Sequence, residues 1–230
     1  MMKKKIFLAL LISFFVCVSS YSQNILQPNT GLKSPQTLEL KKIEATPEKT
    51  VISFTIENQI ERGYFCADKN IFIIYSDGSK IKLISAAGIP QCPDTYKFKS
   101  IGEKLAFTLT FPPLKPSTEW IDIVEECSDN CFYFYGVTLN ADLNKRLDEA
   151  FMIATKGDPQ KNMLLFKNIL DSVDKQNPGI KGLLYINIIT AAIEAGDKVE
   201  ATVWYKRLLS SKSPRLNQYV KYLNDKGIKY

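Results

Sequence analysis

The stretch NIFIIYSDGSKIKLIS, residues 70–85, carries the clearest local structural signal in the first half of the chain. Two apolar runs flank the pair Asp77–Gly78 in this stretch. Such a pair fits the positive-φ positions of a tight turn between antiparallel strands. The stretch therefore predicts a β-hairpin, and the segments on both sides of it carry the same kind of signal.

Alternation of apolar and polar residues extends from Thr37 to Leu139. The segments TLELKKIEA, TVISFTIEN and EKLAFTLTFP alternate as half-buried strands do. WIDIVEE and CFYFYGVTL flank SDN and predict a second hairpin. Six or seven short strands without helical patterning between them are typical of an antiparallel β-sandwich. We therefore expect a sandwich domain over residues 37–139, within an α+β chain.

After Asn140 the apolar residues repeat with a helical period, and about five helices are indicated over residues 140–230. Asp158–Pro159 supplies an N-cap and a proline at the first helical position, where its missing N–H costs nothing. The last helix is predicted to start at Ser213–Pro214 and to stop at Gly227. The second half is therefore expected to be an all-α domain.

An internal repeat lies within these helices. ATKGDPQKNMLLFKNIL, residues 154–170, aligns without gaps on IEAGDKVEATVWYKRLL, residues 193–209. Each unit is a helix, a Gly-Asp turn and a second helix with an inner aromatic residue. The residues that we expect to pack each unit are Gly157 and Phe166 in the first, and Gly196, Ala201 and Tyr205 in the second.

On these residues the second half resembles the tetratricopeptide-repeat family. Gly196, Ala201 and Tyr205 fall where that pattern places its turn glycine, small packing residue and aromatic residue. In the first unit Asn162 stands at the small-residue place. The resemblance implies a scaffold that binds a protein or peptide in a concave groove, which generally needs three stacked repeats. With two repeats and a capping helix, the alternative is a packing unit docked on the sandwich.

The N-terminus has the layout of a secretory signal peptide. Three lysines precede an apolar run from Ile6 to Val18, which is short for a membrane span, and small residues follow. We expect residues 1–22 to be removed by cleavage between Ser22 and Gln23, and residues 23–36 to form a flexible arm. The alternative, a lipoprotein attached through Cys17, is disfavoured because Phe-Phe-Val precedes that cysteine. The mature chain is thus predicted to be exported to the periplasm or beyond, without a transmembrane segment.

Charge gives no sign of a nucleic-acid partner. Without the three lysines of the leader, 27 basic residues remain against 24 acidic ones, and no Lys/Arg cluster stands out. The chain contains no histidine, which excludes Ser-His-Asp and Cys-His catalytic sets and mixed Cys/His metal sites. Glycine-rich phosphate loops and acidic calcium loops are also missing from the sequence. We therefore expect no cofactor and no metal.

The mature chain has four cysteines: Cys66, Cys92, Cys127 and Cys131. An even number in an exported chain favours disulfides, and we expect the pairs Cys66–Cys92 and Cys127–Cys131. The alternatives are a redox pair and a zinc site. The spacing of Cys127 and Cys131 is one residue too long for a redox pair, and a second zinc knuckle is missing.

Three functions remain, and the sequence favours the first. It is protein or peptide binding without catalysis, as a scaffold in the cell envelope. The second is glycan or surface-ligand binding by aromatic residues of the sandwich, namely Trp120, Tyr64, Tyr96, Tyr133 and Tyr135. The third is a carboxylate-dependent hydrolase, for which Asp122 and Glu126 would share a strand face, although such a face usually meets solvent.

Overall fold

The computed structural model describes residues 22–173 and 178–230. Within these ranges antiparallel strands come first and helices follow, so the fold is α+β, as predicted. Residues 22–139 are called the two-sheet unit below, and residues 140–173 with 178–230 the helical unit. The predicted leader lies outside the described residues, apart from Ser22 at its end.

The two-sheet unit contains twelve strands in its described residues, more than the six or seven predicted. They are β1 (Gln23–Leu26), β2 (Leu32–Ser34), β3 (Leu38–Ala45), β4 (Thr50–Glu57), β5 (Tyr64–Phe65), β6 (Ile71–Ile74), β7 (Lys80–Lys82), β8 (Ser85–Ala87), β9 (Tyr96–Lys97), β10 (Lys104–Phe111), β11 (Trp120–Glu125) and β12 (Tyr133–Thr138). Several strands have only two to four residues, which is too short for alternation to be visible in a sequence.

Two five-stranded sheets face each other across one apolar core. The first has the order β1-β3-β4-β10-β8, and the second the order β2-β12-β11-β6-β7. Alternate residues of β4 are buried, as its sequence pattern requires. Phe54 on β4 lies with its ring centroid 5.5 Å from that of Phe134 on β12, so aromatic side chains from the two sheets meet in the core. Strands β5 and β9 form a separate two-stranded sheet.

The hairpin around Asp77–Gly78 is confirmed. Strand β6 pairs antiparallel with β7, and Gly78 has a φ of 79°, which suits a residue without a Cβ. The Asp77 carboxylate accepts a hydrogen bond from the Ser79 backbone N–H at 2.8 Å. The hairpin around the second turn is also confirmed, since β11 pairs with β12.

The strand after the Asp77–Gly78 turn is shorter than predicted because the chain changes sheets there. The N–H of Leu83 still bonds to the second sheet, at Ile71, whereas the N–H of Ile84 bonds to the first sheet, at Thr110. Strand β8 then continues in the first sheet beside β10. This crossing closes one side of the two-sheet unit.

The segment 23–36, expected as a flexible arm, differs from that expectation. Strand β1 pairs with β3 at the edge of the first sheet, and β2 pairs with β12 at the edge of the second. Ile25 is buried in the shared core. The polar turn between these two short strands obscures their pattern in the sequence.

The helical unit contains α1 (Ala141–Ala154), α2 (Pro159–Val173), α3 (Lys181–Glu194), α4 (Lys198–Ser210) and α5 (Leu216–Asp225), with a 3-10 turn at Pro178–Ile180. Helices α1 and α4 begin at side-chain N-caps of the residue types that favour this position. Asn140 accepts from the Leu143 N–H, and Asp197 from the Glu200 N–H, both at 2.9 Å. Helix α5 starts later than the Ser213–Pro214 pair predicts, because Arg215 adopts a left-handed conformation with a φ of 60°.

The two units pack on each other around Tyr219, whose side chain is 1% exposed. Its hydroxyl oxygen lies only 1.9 Å from the position that a Cβ on Gly31 would occupy. Its ring lies 2.1 Å from the Cβ position of Gly182. Glycines in both units therefore make room for one tyrosine, and helix α5 packs tightly against β12 and α3.

Candidate binding groove

A groove of about 630 Å³ lies between the two units. One side, called the helix wall, is formed by Phe151, Leu183, Ile186, Asn187, Thr190 and Tyr222. The other side, called the strand wall, is formed by residues 27–33, Gln36 and 39–41, with Phe134 behind them. Both units are needed to form the groove.

The helix wall has its main surface on α3. Leu183, Ile186, Asn187 and Thr190 stand at positions i, i+3, i+4 and i+7, which places them on one face of the helix. Helices α1 and α5 extend this surface with Phe151 and Tyr222 respectively. The wall therefore mixes apolar surface with one amide group, that of Asn187, and the hydroxyl groups of Thr190 and Tyr222.

The strand wall is held against the helical unit by Asn29. Its backbone N–H donates to Oδ1 of Asn144 at 2.7 Å, and its side-chain amide donates to Asp148 at 2.9 Å. Asn144 itself donates to the carbonyl oxygen of Thr138 at 2.9 Å. The turn between β1 and β2 is thus tied to α1, which fixes the separation of the two walls at this end.

Lys33 brings a positive charge to the groove. Its Nζ donates to the Leu38 carbonyl oxygen at 2.9 Å, and it has no carboxylate within ion-pair distance among the described residues. Burial lowers the pKa of Lys33, and the charge of Glu39 opposes this effect. The ammonium group is therefore partly desolvated and able to accept a carboxylate from a ligand.

Glu39 and Lys41 form an ion pair with each other on the strand wall. The hydrogen bond from Lys41 lowers the pKa of Glu39. Because these two charges balance each other, Lys33 supplies the net charge of the groove lining.

A partly buried ion pair fixes α5 to the second sheet. Asp122, 2% exposed, accepts from the Gly136 N–H at 2.7 Å with Oδ1 and from Arg215 Nε at 2.8 Å with Oδ2. Burial raises the pKa of Asp122, while these two hydrogen bonds act in the opposite direction. The guanidinium group of Arg215 also lies 4.9 Å from the ring centroid of Tyr135.

The carboxylate pair considered for a hydrolase is not brought together. Asp122 is buried and paired with Arg215, whereas exposed Glu126 pairs with Lys80 at 2.9 Å. The expectation of a solvent-facing strand was wrong for Asp122, because α5 covers that part of the second sheet. A register shift between Ile121 and Ile123, at Asp122, also alters the simple alternation of faces.

Sequence reasoning missed a second buried carboxylate, Glu125. It accepts hydrogen bonds from the backbone N–H groups of Asp68 at 2.7 Å and Phe132 at 3.1 Å. Burial raises its pKa. The acid ties the loops that contain Asp68 and Phe132 to the end of β11, beside the cysteines, and its only sequence signal is its position at the end of a strand.

Both predicted disulfides are present. Cys66 is bonded to Cys92, and Cys127 to Cys131. None of the four cysteines lines the groove. They connect loops of the two-sheet unit and so act on its stability.

The residues predicted to pack the repeat units take structural positions. Gly157 and Gly196 lie in the turns α1–α2 and α3–α4, while Phe166, Ala201 and Tyr205 are buried between helices. Asn162, at the small-residue place of the first unit, is buried and donates to the Ala154 carbonyl oxygen at 3.1 Å. These residues build the helical unit and do not line the groove.

The aromatic residues considered for glycan binding do not form one cluster. Trp120 is buried under Gly179, and Tyr133 stacks on Tyr135 beside α5 with centroids 4.4 Å apart. Tyr96 donates to Glu103 at 2.6 Å. Tyr64 alone among the five is strongly exposed, at 66%.

Other features add no chemistry to the groove. In residues 22–173 and 178–230, no set of three or more Cys, Asp or Glu side chains could hold a metal ion. No helix in the same ranges has the length and apolar character needed to cross a membrane. Comparison with family models, with curated proteins and with solved structures finds no match for the chain.

Proposed function

We propose that this protein is an exported, non-enzymatic binding protein of the cell envelope that holds an extended segment of a partner protein in the groove. The observation that carries the proposal is the groove itself, whose two walls come from different units. Its volume of about 630 Å³ is within the usual range of ligand sites. The proposal includes no catalytic step.

The composition of the walls suits a peptide. Leu183 and Phe151 on the helix wall and Leu40 on the strand wall can take apolar side chains. Asn187 and Thr190 can bond to the polar backbone of an extended chain, which must keep hydrogen-bond partners when it leaves water. A groove of this kind can bind both the side chains and the backbone of a peptide.

The two-sheet unit takes the place of the third repeat that the short helical array lacks. A tetratricopeptide-like groove generally needs three repeats, and the sequence offers two and a capping helix. Here the strand wall lies opposite α1, α3 and α5 and supplies the missing side. This supports a tetratricopeptide-like binding role for the helices rather than a packing role alone.

Lys33 supports a preference within this class of ligand. Its ammonium group lines the groove and has no carboxylate partner among the described residues. A charge-assisted hydrogen bond to a ligand carboxylate would be stronger than a neutral one. We expect an acidic side chain or a free C-terminus of the partner segment at this place.

The two disulfides support export, since oxidising compartments form and keep such bonds. Together with the predicted leader, they favour the periplasm or the extracellular space over the cytoplasm. The partner is therefore expected in the same compartment.

Photo-crosslinking in cells of the source organism tests the proposal. A photoreactive amino acid replaces Thr190 on the helix wall in one variant and Thr202 on α4 in the control. Both threonines are half-buried and helical, but Thr202 does not line the groove. Position 190 should give a crosslink to one contiguous segment of a partner protein, identified by mass spectrometry, and position 202 should not.

A filled groove provides the second arm of the test. Thr190→Arg places a long side chain between the walls and should abolish binding of the synthetic crosslinked segment, whereas Thr202→Arg should leave it intact. Crosslinks that are equally frequent from both positions, or equal binding by both arginine variants, would contradict the proposal.

A further inference from the structure

A second concave site, of about 550 Å³, lies on the two-sheet unit and shares no lining residue with the groove. Its lining is Arg62, Tyr64, Thr95, Lys97 and Phe98. We call it the β5–β9 site, because both strands of that small sheet contribute to it.

Backbone and side-chain hydrogen bonds hold the segments that form the β5–β9 site in place. Tyr64 and Lys97 stand opposite each other in the two-stranded sheet. The Phe98 N–H donates to the Gly63 carbonyl oxygen at 2.9 Å, and the Phe98 side chain is buried. The amide of Asn58, itself 5% exposed, donates to carbonyl oxygens of both surrounding loops at 2.8 Å. The lining residues therefore project from a fixed backbone.

The charges of the site are all of one sign. Arg62 and Lys97 line it, and no carboxylate does. Neither cation forms an ion pair with any described residue. Two cations without an ion-pair partner in residues 22–173 and 178–230 favour a ligand with a negative charge. A guanidinium group can hold a carboxylate through two parallel hydrogen bonds.

Tyr64 adds a flat apolar surface to these charges. Its side chain is 66% exposed, although aromatic rings are usually more buried. Thr95 contributes a hydroxyl group, which can donate and accept hydrogen bonds. The ligand should therefore carry a ring face, hydroxyl groups and an anionic group together.

We propose that the β5–β9 site binds a carboxylate-bearing saccharide. The carboxylate lies between Arg62 and Lys97, the apolar face of the sugar ring stacks on Tyr64, and a sugar hydroxyl bonds to Thr95. An acidic peptide fits less well, because β5 and β9 have two residues each and offer almost no strand edge for main-chain pairing. The proposal stands apart from the groove and does not depend on it.

The test uses the mature protein and trigalacturonate as the probe, with binding measured by isothermal titration calorimetry at low salt. The comparison ligands are the fully methyl-esterified, uncharged trisaccharide and a capped tri-glutamate peptide. We expect both to bind at least about tenfold more weakly than trigalacturonate, which corresponds to about 1.4 kcal/mol. NMR shifts of backbone amides should map the trigalacturonate to residues 62–64 and 95–98.

Matched variants assign the roles. Arg62→Asn removes the charge with a residue that tolerates the φ of 54° found there, and Lys97→Gln removes the second charge. Each should weaken trigalacturonate binding about tenfold or more, since charge-assisted hydrogen bonds are lost. Tyr64→Phe should keep binding and Tyr64→Ser should lose it. Exposed Lys99 lies outside the lining, so Lys99→Gln is the control.

Four results would overturn the proposal. They are failure of trigalacturonate to bind, equal affinity for the uncharged ester, equal or tighter binding of the tri-glutamate peptide, and the same loss of affinity in the Lys99→Gln variant as in Lys97→Gln. Because Arg62, Tyr64 and Lys97 are exposed, the variants are expected to fold, and far-ultraviolet circular dichroism checks this.

Discussion

Arg215 Nε donates a hydrogen bond to Oδ2 of Asp122 at 2.8 Å, across 93 residues of sequence. The pair joins the start of α5 to the middle of the second sheet. Since α5 also contributes Tyr222 to the helix wall, this bond helps to set the position of one wall relative to the other.

Arg215→Met should destabilise the protein. It leaves the Asp122 carboxylate buried without its cation; breaking a fully buried pair typically costs about 3–5 kcal/mol, and we expect a smaller loss here because the Arg215 side chain is 34% exposed. Urea unfolding at neutral pH measures the change in the free energy of unfolding. The control is Lys221→Met, which breaks the exposed pair with Asp225 and should change stability little. If both variants lower the free energy of unfolding by similar amounts, the Asp122–Arg215 pair stabilises the protein no more than an exposed ion pair does.

The contribution of Asp122 and Glu125 to stability should fall as the pH rises above about 4. Burial raises the pKa of both Asp122 and Glu125 in the folded state, so that state binds their protons more tightly than the unfolded chain does. Their contribution is fully present below the unfolded pKa of about 4 and is lost as the pH rises through the raised folded pKa. Urea unfolding at a series of pH values above about 4 measures the slope.

Glu125→Gln is the variant that assigns part of this slope. It removes one of the two titrating groups, so its free energy of unfolding should vary less with pH than that of the original protein. Its absolute stability is expected to be lower, because an amide cannot accept from both the Asp68 and the Phe132 N–H groups. Parallel pH profiles for the two proteins would contradict the assignment.

Gly182→Ala should destabilise the protein although it improves helix propensity. Within a helix this change usually stabilises by about 0.5–1 kcal/mol. Here the new Cβ would stand 2.1 Å from the buried ring of Tyr219, and overpacking typically costs about 1–3 kcal/mol. Thermal unfolding gives the sign. Combination with Tyr219→Leu should cost less than the sum of the two single changes, and strict additivity would contradict the proposed contact.

Removal of the longer disulfide should cost more than removal of the shorter one. Chain entropy assigns about 3.5 kcal/mol to the closure by Cys66–Cys92 and about 2 kcal/mol to that by Cys127–Cys131. Double alanine variants of each pair, compared by urea unfolding, measure the order, and the reverse order would contradict the loop-length argument. The intact mass of the exported protein should correspond to a chain that starts at Gln23, and treatment with an alkylating agent should leave this mass unchanged because no thiol is free.

Features that depend on neighbouring residues were accessible from the sequence. The Asp77–Gly78 hairpin, the Asn140-to-helix boundary and the Asp158–Pro159 helix start follow from residues within a few positions of each other. The disulfide pairing also follows, because the hairpin brings Cys127 and Cys131 together and leaves Cys66 with Cys92.

Features that depend on distant residues were not accessible. Asp122 looks like a surface residue until α5 brings Arg215 to it. Lys33 and Thr190 line the same groove, but the sequence around each of them gives no sign that the two lie close together. Strands β1 and β2 were missed because each has only a few residues, too few to show a strand pattern. They form strands because they pair with β3 and β12 respectively.

Hydrogen–deuterium exchange, with and without the segment that crosslinks to position 190, tests whether a partner segment lies between the helix wall and the strand wall. We expect slower exchange at residues 27–33 and at 183–190 when the segment is bound, with no change at 199–209 on α4. Protection confined to α4 or to residues 62–64 and 95–98, or no protection at 27–33, would contradict this placement of the segment.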